Sequence, residues 1–147
     1  MTVALVWGIK ASLIGYITAL DDGEVELEPP AERRGDVFRF PAAPGGALEF
    51  TGAVRLRGHW GMLDLEVRAP RVTIDGDRGT LLVHERGRDG FLPFADLVRD
   101  SEQVGPDAST STWRAALTGH GAQILGGQYP PGTELDPVRL EGLLRDD

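Results

Sequence analysis

No cysteine occurs in the 147 residues. Its absence excludes a disulfide framework, a thiolate nucleophile, a Cys-based zinc site and a thioether-attached cofactor. Lysine occurs once, as Lys10, and the other fourteen basic residues are arginines. Against 23 acidic residues they leave a formal net charge of −8, the wrong sign for a surface that must release counterions from nucleic acid or anionic lipid. Long apolar runs are also missing, since nothing approaches the roughly 18 uninterrupted apolar residues of a membrane span. No basic segment precedes the first apolar run, Lys10 interrupts it, and no small-residue cleavage site follows it. The tail LEGLLRDD carries no anchor. The expectation is a protein without a signal peptide, placed in the cytoplasm.

What the chain does hold is turn-forming residues, with 20 glycines and 10 prolines. They favour many short strands over a helical bundle. A hydrophobic fraction of 41% at this length suffices to close one core. The predicted architecture is mainly β: antiparallel, sandwich-like sheets with one or two short α-helices, the first near the N-terminus, in a single domain over residues 1–147.

Residues 4–17 place Ile9, Leu13, Tyr16 and Ile17 at helical spacing, with Trp7, Ala11 and Ile14 beside them, which predicts that first helix. A turn at Asp21-Asp22-Gly23 leads to GEVELEP, an alternating strand. PPAERRGD reads as a polar loop, VFRF as a short strand and PAAPGG as a turn. From Leu48 to Leu56 every second residue points one way, while Arg55, Arg57 and His59 share the opposite face. After Gly58–Gly61, Leu63, Leu65 and Val67 alternate as a return strand; Val72 to His84 forms a second hairpin around DGDRG. GFLPFADLV has no defined type, DSEQVGPDASTSTW reads as a polar connector, and residues 113–125 suit either strand or helix. GGQYPPGTELDPV reads as loop.

The templates for chemistry fail one after another. His59, His84 and His120 lie far from any short metal-ligand spacing. DGDRG begins like a calcium loop, but Gly79 stands at an oxygen-ligand position and Arg86 where the bidentate glutamate belongs. GHGAQILGG lacks the strand and lysine of a phosphate loop, and no GxSxG elbow occurs. The carboxylates are spread over alternating strand faces. No catalytic motif remains, and the expectation is a protein that is not an enzyme.

Three blocks remain. VWGIKASLIGYI, the stretch FTGAVRLRGHWGMLDLEVRAPRVTIDGDRGTLLV and ALTGHGAQILGGQYPPGTELDPV stand in this order, and together they resemble the HtaA haem-binding domain of actinobacteria over nearly the whole chain. The resemblance implies non-covalent binding of ferric b-type haem for transport, transfer or buffering. It implies Tyr16 as the axial iron ligand, His59 as the hydrogen-bond partner of its phenolate and Ser12 against a propionate, with Tyr129 lining the pocket. The residue chemistry agrees, because Fe(III) is a hard ion suited to a phenolate, and Ser12 and Tyr16 at i and i+4 share a helix face. Lys10, Arg55 and Arg57 are the cations on offer to propionates, with a solvated surface role favoured for each, and Trp7 and Trp60 could stack on a porphyrin but are expected in packing. Leu13, Ile14 and Gln128 replace residues that are often aromatic or arginine in the family, which predicts a looser haem cover. The resemblance further implies a haem donor or acceptor protein as partner, and an open haem edge would favour a homodimer. Family members are usually exported or held at the cell surface. The alternatives are an interaction module of the same fold that has lost haem and, further off, a haem-dependent enzyme using His84 or His120.

Overall fold

The structure, a computed structural model, describes residues 3–45, 47–106 and 108–143. Residues 144–147 of the tail, Gly46 of the PAAPGG turn and Asp107 of the polar connector lie outside the described residues.

In chain order the elements are β1 (Val3–Trp7), α1 (Ala11–Ala19), β2 (Glu24–Glu28), β3 (Glu32–Arg34), β4 (Val37–Pro41) and β5 (Ala53–Gly58). A 3-10 turn, His59–Gly61, leads into β6 (Leu63–Arg68), β7 (Arg71–Asp75), β8 (Arg78–His84), β9 (Phe91–Val104) and β10 (Ala108–Leu117). Then come α2 (Gly119–Ile124) and β11 (Glu134–Leu143). All strand pairs are antiparallel and form two sheets, one of eight strands in the order β3-β4-β1-β11-β10-β9-β8-β7 and one of three in the order β2-β5-β6. One buried cluster joins them: Trp7, Phe38, Phe94 and Trp113 from the large sheet meet Val54, Leu56 and Leu65 from the small one, with Leu13, Ile14 and Ile17 of α1. The mainly β, antiparallel architecture with a helix near the N-terminus is the expected one. Among the described residues no helix is long and apolar enough to cross a membrane.

Four local expectations are corrected. The helix over residues 4–17 is a strand followed by a helix, because β1 lies between β4 and β11 with Ala4 to Trp7 all buried. A strand covered on both faces carries a continuous apolar run that periodicity cannot separate from a helix. The long alternation from Leu48 breaks at Gly52, which has φ +99° and whose Cβ would stand 2.5 Å from the Ala31 nitrogen. β5 therefore starts only at Ala53. The polar loop PPAERRGD contains the short edge strand β3, paired with β4. Finally, the polar connector is the outer half of the β9–β10 hairpin, and GGQYPPGTELDPV runs into β11. Pro137 fits within that central strand because the β10 register skips between Trp113 and Ala115, opposite Val138 and Leu135.

The outer face of the small sheet is a ladder of ion pairs. Arg57 bridges Glu24 and Glu26 at 2.8 Å each, Arg68 bridges Glu28 and Glu66, and Arg55 grips both oxygens of Asp64 at 2.9 and 2.8 Å. Hydrogen bonding by Arg55, helped by the nearby Arg86 charge, holds the Asp64 carboxyl down at about 2, against an ordinary value of 3.8. A carboxyl lowered on folding stabilises the protein fully above its unfolded value and loses that contribution as pH falls through the folded one. Asp64 is partly exposed, so solvent screening reduces the contribution to about 1 kcal/mol. Between about pH 5 and about pH 2 the wild type should lose about 1 kcal/mol more than Asp64→Asn, measured by urea unfolding at both ends.

Candidate functional site

α1 is amphipathic: Leu13, Ile14 and Ile17 face the core, while Ser12 and Tyr16 are exposed. Its first turn has no side-chain cap from Lys10. The cap comes instead from across the fold, where the Ala11 N–H donates to Asp136 Oδ1 at 3.0 Å. Gly8 makes this approach feasible, because a Cβ there would collide with the other Asp136 oxygen. Asp136 is itself fixed by its backbone, with its N–H donating to the Ile9 carbonyl at 3.0 Å and its carbonyl accepting from Trp7 Nε1 at 2.8 Å. The helix that carries Tyr16 is thus pinned to β11.

His59 comes from the other sheet. The turn after β5 places His59 at φ 51° and Trp60 at φ 54°, followed by Gly61 at φ 89°. Left-handed backbone costs an ordinary residue about 1–2 kcal/mol, so something must hold this turn. The Asp22 carboxylate does so, accepting from the His59 N–H at 3.2 Å and from the Trp60 N–H through its second oxygen. The Met62 N–H closes the turn on the His59 carbonyl at 3.1 Å. In this geometry His59 Nε2 lies 2.6 Å from Tyr16 Oη, a short hydrogen bond between residues 43 apart in sequence.

Beside this pair opens a cleft of about 420 Å³, lined by His59, Trp60, Met62, Leu63, Leu65, Leu125, Gly126 and Gln128. Its walls are mostly apolar. At the mouth, Trp60 is 86% and Met62 91% exposed, and Tyr16, which meets the cleft through His59 and does not line it, is 49% exposed. These are large hydrophobic side chains left in water around one concavity, the usual mark of a ligand or partner site.

The structure therefore brings Tyr16 and His59 together and puts Ser12 one turn away on the same helix. Tyr129 is half-buried, with Lys10 Nζ 5.3 Å from its ring centroid while also donating to the Glu134 carbonyl at 3.3 Å. Arg55 and Arg57 have their charges engaged in the ion-pair ladder. Trp7 packs in the core as expected, whereas Trp60 does not pack and stands at the cleft. Leu13 and Ile14 are buried beneath α1, so of the three positions expected to loosen a cover only Gln128 reaches the cleft. His84 sits edge-on to Phe91 and His120 is exposed on α2, and neither lines the cleft. Among the described residues no cluster of His, Asp and Glu could hold a bare metal ion. Sequence reasoning missed Asp22, Asp136, Met62 and the Leu125–Gly126 wall. A backbone-to-carboxylate contact across 37 residues leaves no local pattern to read.

Fold and site together define a two-sheet antiparallel β domain that presents a tyrosine–histidine pair beside an apolar cleft. The family model described as Htaa matches residues 2–141, and the chain belongs to the HtaA family. Its structure is similar to the C-terminal domain of HtaA from Corynebacterium glutamicum, with TM-score 0.85, 22% identity, and 97% of this chain and 96% of that one covered. The N-terminal domain of the same protein gives TM-score 0.83 at 24% identity, covering 100% and 98%. The heme-binding protein HtaB from the same organism gives 0.76 at 24% identity, covering 99% and 96%. No curated protein sequence matches the chain.

Proposed function

We propose that residues 1–147 form a single domain that binds ferric b-type haem non-covalently and holds it for transport, transfer or buffering, without catalysing a reaction. The carrying observation is the 2.6 Å contact between the exposed Tyr16 hydroxyl and His59 Nε2 at an apolar cleft. The donor set suits the group. A phenol loses its proton near pH ~10 when free, and an imidazole N–H directed at the oxygen stabilises the phenolate that Fe(III) requires. Tyr16 would hold the ferric iron through its phenolate, and His59 would be the donor that orients and tunes it. Ser12, one helical turn from Tyr16, serves a propionate, and Tyr129 borders the pocket near Lys10. Leu63, Leu65 and Leu125 supply the dry surface a macrocycle needs, with Trp60 and Met62 at its edge. The mouth leaves part of such a ligand open to a donor or acceptor protein, or to a second copy of the chain.

The absence of catalysis rests on the cleft itself. His59 is its only acid–base side chain among the described residues, and the Tyr16 hydroxyl already engages it. When bound, haem supplies a ferric centre whose hold on a hard oxygen ligand weakens on reduction. The test is a visible-absorption titration of the apo-protein with ferric hemin. Saturable one-to-one binding with a high-spin tyrosinate spectrum is expected, with weaker binding after dithionite. Unsaturable binding, or tighter binding on reduction, would overturn the reading.

A further inference from the structure

We propose that Asp22 is the positioning residue of this site: by accepting from the backbone N–H groups of His59 and Trp60 it holds the left-handed turn that directs His59 Nε2 at Tyr16. In its functional consequence this rests on the haem reading; in its structural premise it stands on the fold alone. Two successive non-glycine residues with positive φ do not hold that shape unaided. Their amides point to one side as a concave pair of donors, the arrangement that cradles an anion. The Asp22 carboxylate fills it with one oxygen per amide. Among the described residues the turn is otherwise closed by the flanking Gly58–Leu63 strand pair and by the Met62 N–H to the His59 carbonyl, and neither engages the His59 or Trp60 amide.

Placement in the chain strengthens the inference. Asp22 lies six residues beyond Tyr16, in the turn leaving α1, and the Gly23 N–H of the same turn is tied to the Leu20 carbonyl at 3.2 Å. One short segment therefore carries the proposed iron ligand at one end and, at the other, the anchor for that ligand's hydrogen-bond partner. Helix and turn are locked as a unit before any ligand arrives. Preorganisation of this kind spares the site the cost of ordering His59 on binding.

The experiment compares full-length wild type, Asp22→Ala, Asp22→Asn and Asp21→Ala. Asp21 is the adjacent exposed carboxylate and makes no side-chain hydrogen bond among the described residues, so it controls for charge. Two readouts are taken: hemin affinity with the iron–phenolate resonance Raman band, and amide hydrogen exchange at His59 and Trp60 in the apo-protein. Asp22→Ala should weaken hemin binding by about tenfold or more, shift the phenolate band and speed exchange at both amides, with core amides such as Val6 and Leu97 unchanged. Asp22→Asn, which keeps one acceptor oxygen, should fall between the two, and it carries the test if the alanine variant fails to fold. Asp21→Ala should match wild type. Wild-type binding and band in both Asp22 variants, or an equal loss in Asp21→Ala, would overturn the proposal. If wild type itself shows no phenolate band, the haem reading fails; the exchange data then decide whether Asp22 holds the turn, and unchanged exchange in its variants would overturn that as well.

Discussion

Tyr16→Phe should lower ferric hemin affinity by about 100-fold or more, corresponding to about 2.7 kcal/mol, and remove the tyrosinate spectrum while leaving the fold almost untouched. The two halves of this expectation have separate physical grounds. Tyr16 is 49% exposed and lies on the solvent side of α1, opposite Leu13, Ile14 and Ile17. Deleting its hydroxyl opens no cavity and removes one exposed hydrogen bond, worth about 1 kcal/mol or less. For binding, the hydroxyl is, among the described residues, the one oxygen that stands against the imidazole lining this cleft. Without it a macrocycle keeps its apolar contacts and its propionate partner but loses the oxygen proposed for its iron. His59→Ala should have a smaller effect, about 10–100-fold, as removal of an outer partner of a metal ligand typically does. Titrations read beside thermal melts separate affinity from stability. Wild-type affinity and spectrum in Tyr16→Phe would remove Tyr16 as the ligand.

The Tyr16–His59 pair was legible in the sequence, but only through the resemblance of the blocks that carry it. Helical periodicity alone grouped Tyr16 with Ile9, Leu13 and Ile17, whereas the structure turns its side chain away from that buried face. The amphipathic strands could be read directly: β5, β6 and the second half of β8 alternate with one face wet, and pattern reports such strands well. β1 could not, since burial on both faces erases alternation. The outer ends of β9 and β10 failed for the opposite reason. Asp100 to Gln103 and Ser109 to Thr112 are polar on both faces, and ladder pairing, not burial, makes them strands. Pro93 and Pro137 added false stop signals, each lying in a paired strand where the register shifts nearby. The supports of the site, Asp22 and Asp136, are aspartates in turn-like contexts. Their roles come from what the fold brings opposite them.

The second large effect falls on stability. Trp7→Ala should cost about 4 kcal/mol, from the 3–5 kcal/mol span for truncating a large buried aromatic. Trp7 is fully buried in β1, an interior strand of the large sheet, paired with Phe38 on one side and Val138 on the other, and meets Phe94 edge-on at a centroid distance of 5.6 Å. Its indole N–H is also the donor to the Asp136 carbonyl at 2.8 Å. Trp7→Phe separates the two contributions, retaining much of the volume while deleting the donor, and should cost about 1–2 kcal/mol. Because Asp136 also caps α1 at Ala11, the phenylalanine variant tests whether core and site are coupled: releasing the Asp136 backbone should loosen the first turn of the helix that presents Tyr16. Urea unfolding measures the stability change, and amide exchange at Ala11 measures the loosening. A loss below about 1.5 kcal/mol in Trp7→Ala would mean that the core is not rigidly packed around this strand and closes over the deletion. A full loss in Trp7→Ala with an unaltered Ala11 amide in Trp7→Phe would mean that Asp136 is held well enough by its bond to Ile9 for the helix cap to survive alone.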